Sequence, residues 1–272
     1  TAGFCVFLAL FPALAGWAQA RLRAPLATAA LWVLTEWLRG WILTGFPWLA
    51  VGYAAIDTPL AGFAPLGGVY LASLTMMISA GLLWLVAAGR WRRTAVAAFA
   101  LIGIAGAALR SLEWSMPLPN AVSVSLLQGN VPQSLKFDPE RYQRTLQTYA
   151  RLAEESRARL IVLPETAVPR FLDLVEPSFI ERLKAVAVRN GGDLLLGVPL
   201  RPAPGVYYNS VISLGASPPA GYDKVHLVPF GEFVPPGFGW IVRVLSIPLS
   251  DFSRGRADQR PLLAAGARIA VN

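Results

Sequence analysis

The sequence contains one cysteine, Cys5, and one histidine, His226, in 272 residues. A single thiol excludes an internal disulfide. No Cys, His and Asp residues fall at metal-ligand spacing, so no metal site is expected. Charge is scarce as well, at 15% of residues against 55% hydrophobic, with a mean hydropathy of +0.50. That is too apolar for an ordinary soluble domain and too polar for a membrane bundle throughout, so two unlike parts are expected. The net charge of +8 is not concentrated. Residues 1–115 carry seven Arg against Glu36, Asp57 and Glu113, and the remainder carries 17 basic against 13 acidic residues. Without clustered Lys and Arg interleaved with aromatics, a nucleic-acid surface is excluded. No Gly-rich phosphate loop follows a strand pattern, and Ser123, Ser125 and Ser210 lie in strand patterns without a nucleophile elbow. Lacking an initial Met and a basic leader, residues 1–20 do not read as a signal peptide. The sequence is expected to begin partway through a longer protein.

Long apolar runs are what the first part has in abundance. Four approach spanning length, roughly 3–20, 24–43, 60–88 and 94–109, since about 20 apolar residues cross the hydrocarbon core. Arg21 and Arg23 separate the first two runs, and Arg90, Arg92 and Arg93 separate the last two. Placing both basic turns on the cytoplasmic side satisfies the positive-inside rule and sends everything after Arg110 to the opposite face. In a bacterium that is the periplasmic side of the inner membrane. Glu36 and Arg39 lie three apart within the second run. They form either a mutual ion pair or a site where Arg39 meets a lipid phosphate. The loop Thr44–Tyr53 contains Phe46 and Trp48, as an interfacial aromatic belt or as the lining of a lipid portal.

After Pro117 the runs shorten. Val122, Val124 and Leu126 alternate as in a strand, and Leu160–Leu163, Asp193–Val198 and Val206–Leu214 read as further strands. Helical spacing fits 139–159 and 179–189. Strands alternating with helices indicate an α/β layered fold with a largely parallel sheet. The expected organisation is a transmembrane helical bundle of about four spans over 1–115 and an extracytoplasmic α/β domain over 116–272.

Function in such sheets collects beyond the carboxyl ends of strands. Glu165 stands there, two residues after Leu163, flanked by apolar residues. A raised pKa is expected for it, suiting a general base. Lys224, at the edge of another apolar run, is suited to hold an oxyanion or a thiolate. A buried structural ion pair accounts equally well for these two residues alone. His226 reads as a packed structural histidine rather than an acid–base group, and Cys5 as a small buried hydrophobe. Trp114 is either an interfacial anchor or part of a lipid entrance. Asn209 is either a strand residue with its amide satisfied or a donor near the site. The apolar stretch 235–251, with Phe238, Trp240, Ile241 and Leu245, is either a lid dipping into the bilayer face, the favoured reading, or a covering of the core.

Five segments together carry a resemblance: Leu31–Gly40, Leu43–Trp48, Gln128–Gln133, Leu163–Pro169 and Lys224–Pro235. Through them the chain resembles the apolipoprotein N-acyltransferase family of the carbon–nitrogen hydrolase (nitrilase) superfamily. The resemblance implies an αββα sandwich on an eight-span bundle. It assigns the catalytic Glu to Glu165, the catalytic Lys to Lys224 and a supporting carboxylate to Glu232. Phe46, Trp48, Trp114 and Asn209 are the candidate substrate-binding residues. The implied reaction is ping-pong: a cysteine thiolate takes an acyl chain from a phospholipid donor, then passes it to the α-amino group of a diacylglyceryl lipoprotein acceptor. No cofactor is implied. The sequence stops at Asn272, where the strand bearing the family's cysteine is expected, so the chain alone is expected to be an inactive fragment of the enzyme. A membrane-bound amidase, a silent lipid- or lipoprotein-binding module and, least favoured, a transporter are the alternatives.

Overall fold

A helical unit, Thr1–Pro117, and an α/β unit, Leu118–Asn272, divide the chain. The computed structural model describes residues 2–22, 27–117, 119–132, 135–229, 231–234 and 251–271.

Among the described residues of the helical unit, three segments are long and apolar enough to cross a membrane: Ala2–Leu22 (α1), Pro59–Ala87 and Arg92–Arg110. The second of these ends in helix α3, Ala64–Ala87, and the third is α4. Large apolar side chains on α1, including Phe4, Leu10, Leu14 and Trp17, remain exposed. Such an exterior suits lipid better than water. Gly62 and Gly106 allow the turn before α3 to touch α4, because a Cβ on Gly62 would overlap the Gly106 carbonyl oxygen.

The remaining expected span differs. Among the described residues it is a 13-residue helix, α2, Ala27–Arg39, well short of the length needed to span. Its last turn is committed to the loop that follows. Glu36 Oε1 accepts from Trp32 Nε1 at 2.8 Å and from the Val51 amide at 2.7 Å. Arg39 Nε donates to the Phe46 carbonyl at 3.1 Å. Both side chains are buried, yet among the described residues Glu36 Oε2 and Arg39 Nη2 find no partner, so the mutual ion pair, one of the two readings of the sequence, is not made. Backbone groups of the loop win instead, because leaving a buried amide and carbonyl unpaired is itself costly.

In the α/β unit, five strands form one sheet in sequential order: β1 (Val124–Leu126), β2 (Leu160–Val162), β3 (Asp193–Ala203), β4 (Val206–Gly215) and β5 (Gly221–Asp223). The first two pairings are parallel and the last two antiparallel. The sheet is therefore mixed rather than largely parallel. The cause is local: β3 and β4 are joined by two residues, Pro204 and Gly205, with Gly205 at φ 75°. So short a connection permits only a hairpin.

Helices α5 (Pro139–Glu155) and α6 (Pro177–Arg189) cover one face of the sheet. Asp138 caps α5 by accepting from the Glu140 amide at 3.0 Å, ahead of Pro139 in the first turn. Leu146, Tyr149 and Ala153 of α5 and Leu183 and Val186 of α6 pack on Ile161, Leu194, Leu196 and Val198. The opposite face meets a second β-layer: the β6–β7 hairpin (Leu262–Ala264, Ala267–Ile269) brings Leu262 and Ala264 onto Leu160 and Leu195. Fully buried Asp193 ties the layers together. Its carboxylate accepts from the Ser217 amide and hydroxyl at 2.9 and 2.6 Å and from the Ala265 amide at 2.6 Å. Burial pushes its pKa up, but these donors more than offset that, leaving it below the usual value.

Candidate active site

Beyond β2 the chain makes a turn, Pro164–Ala167, closed by the Ala167 amide on the Pro164 carbonyl at 3.1 Å. Thr166 takes φ 48° there, a left-handed conformation that a β-branched residue adopts only under constraint. The constraint comes from β3. Gly197 runs directly beneath the turn, where a Cβ would overlap the Pro164 carbonyl and lie 2.9 Å from Glu165 Cα. Glu165 is thus presented at the strand end by backbone packing.

Lys224 follows β5 and is held by backbone at both ends. Its amide donates to Asn209 O at 2.8 Å, and its carbonyl accepts from the Gly255 amide at 2.9 Å. Its ammonium sits between two carboxylates, 2.9 Å from Glu165 Oε1 and 3.0 Å from Glu232 Oε2. Asn209, on β4, bridges the same two groups: Nδ2 donates to Glu165 Oε1 at 2.5 Å and to Glu232 Oε1 at 2.6 Å. Glu232 Oε2 also accepts from the Val228 amide at 2.8 Å. Side-chain exposure is graded across the cluster, 12% for Glu232, 24% for Lys224 and 60% for Glu165. Glu165 Oε1 takes both side-chain donors, whereas Oε2 has none among the described residues. The inner carboxylate is fixed and the outer one keeps an oxygen open, as a proton acceptor requires.

Electrostatics follow the geometry. Burial pushes the Glu165 carboxyl up, but Lys224, Asn209 and Lys136 together hold it below 4.5. The raised value expected from its apolar neighbours in sequence is therefore overturned. For Lys224, burial lowers the pKa and the two carboxylates outweigh it, so its pKa lies above 10.5. At neutral pH Glu165 is an ionised carboxylate and Lys224 a fixed cation. Such an arrangement can receive a proton at Glu165 while Lys224 stabilises negative charge developing nearby.

A cleft of about 200 Å³ opens beside the turn, lined by Gln128, Asn130, Lys136, Thr145, Tyr149 and Glu165 among others. Lys136, Thr166 and Gly197 were not singled out by sequence reading. Lys136 carries no motif signal because its acceptor is a backbone carbonyl 29 residues away.

Of the candidate substrate-binding residues, Asn209 lies in this cluster, and its amide is committed to the two carboxylates. Phe46, Trp48 and Trp114 belong to the helical unit. Phe46 stacks edge-on with Phe4 at 5.3 Å and lies 5.0 Å from Trp48, which is exposed. Trp114 Nε1 donates to Leu109 O at the end of α4. His226 is exposed, not packed, and Cys5 is exposed on α1, not buried. The lid proposed for 235–251 lies, apart from Asp251, outside the described residues.

Comparison with known proteins agrees with both units. Residues 1–82 match the apolipoprotein N-acyltransferase N-terminal domain, and residues 123–262 match the carbon-nitrogen hydrolase family. Relatives named apolipoprotein N-acyltransferase include those of Nitrosomonas europaea, 48% identical, and Chromobacterium violaceum, 45% identical. Each alignment covers 98% of this chain, and 56% and 54% of the respective relative. The chain thus spans about half the length of the relatives it matches. A solved carbon-nitrogen hydrolase from Helicobacter pylori G27 aligns over 52% of this chain and 47% of its own, at 21% identity and a TM-score of 0.33. With a family match that covers more than half of its residues, the chain belongs to the carbon-nitrogen hydrolase family.

Proposed function

We propose that this chain is part of an apolipoprotein N-acyltransferase of the bacterial inner membrane, its α/β unit facing the periplasm. The observation that carries the reading is the Glu165–Lys224–Glu232 cluster, with one carboxylate fixed and the other open, on a chain whose first 82 residues match that enzyme's N-terminal domain. The basic turns containing Arg21 and Arg90, Arg92 and Arg93 support the orientation.

In the proposed reaction Glu165 removes a thiol proton and the thiolate attacks an ester carbonyl of a phospholipid. Lys224 stabilises the oxyanion, and the proton passes from Glu165 to the departing lysophospholipid oxygen. The acyl thioester is then attacked by the α-amino group of a diacylglyceryl lipoprotein. Glu165 takes the ammonium proton and returns it to the leaving sulfur. Glu232 and Asn209 hold Lys224 and Glu165 in register, and Phe46, Trp48 and Trp114 contact lipid chains. Cys5, the single cysteine of these 272 residues, belongs to the helical unit. The activity proposed is that of the whole protein.

The test supplies purified whole protein with phospholipid labelled in its acyl chains and a diacylglyceryl-cysteine peptide. The reading expects label on the peptide amine by way of a hydroxylamine-labile protein adduct. Release of labelled fatty acid alone, with no transfer to the amine, would instead support an amidase-like hydrolase.

A further inference from the structure

Glu165 is gripped from two sides, and only one grip belongs to the carboxylate cluster. Lys136, in the segment between β1 and α5, donates from Nζ to the backbone carbonyl of Glu165 at 3.1 Å. It lines the cleft together with Glu165, and among the described residues it makes no ion pair of its own. The charges around Glu165 make this informative. Two carboxylates, Glu165 and Glu232, share one ammonium, Lys224. That trio carries one excess negative charge when all three are ionised, and like-charged carboxylates sharing one site oppose ionisation of the more basic one. A second ammonium at the neighbouring carbonyl supplies the missing positive charge.

We propose that Lys136 is a positioning residue for Glu165: it anchors the strained Pro164–Ala167 turn through the Glu165 carbonyl and adds a second positive charge, beside that of Lys224, that favours the ionised Glu165 carboxylate. The role of the carboxylate as a base rests on the function proposed above; the coupling between the two residues does not. Among the described residues, the groups facing Glu165 are Lys136 from the β1–α5 segment, Lys224 after β5, Glu232 eight residues beyond Lys224 and Tyr149 of α5 across the cleft. Tyr149 is pushed above its usual pKa by burial, so it is neutral over the range where Glu165 titrates. Burial also lowers the pKa of Lys136, with Glu165 acting against that. Holding an ammonium in this half-buried position therefore has a cost, and the adjacent carboxylate offsets it.

The test is a carbon-13 carboxyl titration of Glu165, assigned with Glu165→Gln, in the detergent-solubilised protein. It is repeated for Lys136→Met and Lys136→Arg, with near-ultraviolet circular dichroism to establish folding. The expected result is a Glu165 titration moved to higher pH in K136M and returned toward the parent position in K136R. An unchanged titration in folded K136M, or an equal displacement in K136R, overturns the proposal. Because the readout needs no turnover, whole protein that shows the shift but transfers no acyl group would sink the acyltransferase reading and leave this coupling standing. In the whole enzyme, the same substitution is expected to move the acid limb of the pH–rate profile upward.

Discussion

The Asn209 side-chain nitrogen donates to Glu165 Oε1 and Glu232 Oε1 at once, at 2.5 and 2.6 Å. A neutral amide thus does what a cation alone would do less specifically: it fixes two carboxylates at one separation through one oxygen each and leaves Glu165 Oε2 without a donor among the described residues. Both bonds go to charged acceptors, which makes them stronger than neutral ones.

Replacing Asn209 with Leu keeps the volume and removes both donors. The fold should persist with a loss of about 2 kcal/mol, the scale of hydrogen bonds to charged groups. The Glu165 carboxyl should titrate at higher pH than in the parent. Thermal unfolding and carboxyl titration check the two parts, and an unshifted Glu165 would show that Asn209 only fills space.

Gly197→Ala tests the presentation of Glu165 from beneath. The added methyl meets backbone atoms on β2's turn, which cannot rotate away as a side chain would. A cost of about 3 kcal/mol is expected from such overpacking, with Glu165 displaced from Lys224. Wild-type thermal stability in this variant would contradict the close backbone approach.

Asp193→Ala separates the β6–β7 hairpin from the sheet by removing three accepted hydrogen bonds and stranding buried donors. A loss of roughly 3 kcal/mol is expected. Amide exchange should accelerate first at Ala265 and Ser217, and exchange at parent rates would refute the tie.

The cluster also fixes the sign of a pH dependence. The Glu165 pKa is depressed on folding, so its contribution is present above the unfolded value near 4.5 and is lost as pH falls through the folded value. The Lys224 pKa is raised, so its contribution is present below 10.5 and is lost as pH rises through its folded value. Relative to a Glu165→Gln, Lys224→Met double variant, the parent should be more stable between these limits and lose that advantage outside them. Denaturant titrations across pH measure it, and a parallel pair of curves would contradict the assignment.

Much of this was legible in the sequence because burial writes continuous apolar runs. The apolar runs 160–163 and 193–198 supply the strands β2 and β3, and Glu165 is found where a strand end and a flanking Pro put it. What sequence left hidden depends on partners far along the chain or on backbone groups. Apolar neighbours of Glu165 suggested a raised pKa, but Asn209 and Lys224, 44 and 59 residues away, reverse it. Glu36 and Arg39 looked like each other's partners, yet backbone groups at Val51 and Phe46 take their place. Parallel strands were expected until the two-residue turn at Pro204 and Gly205 folded β4 back on β3.

In the proposed reaction Glu165 is the base that generates the nucleophile. Whole protein carrying Glu165→Gln, folded and membrane-inserted, is incubated with acyl-labelled phospholipid and assayed for hydroxylamine-labile label on the protein. The account predicts that label falls at least about a hundredfold, the lower end of what a positioned general base contributes. Label accumulating at the parent rate would contradict it.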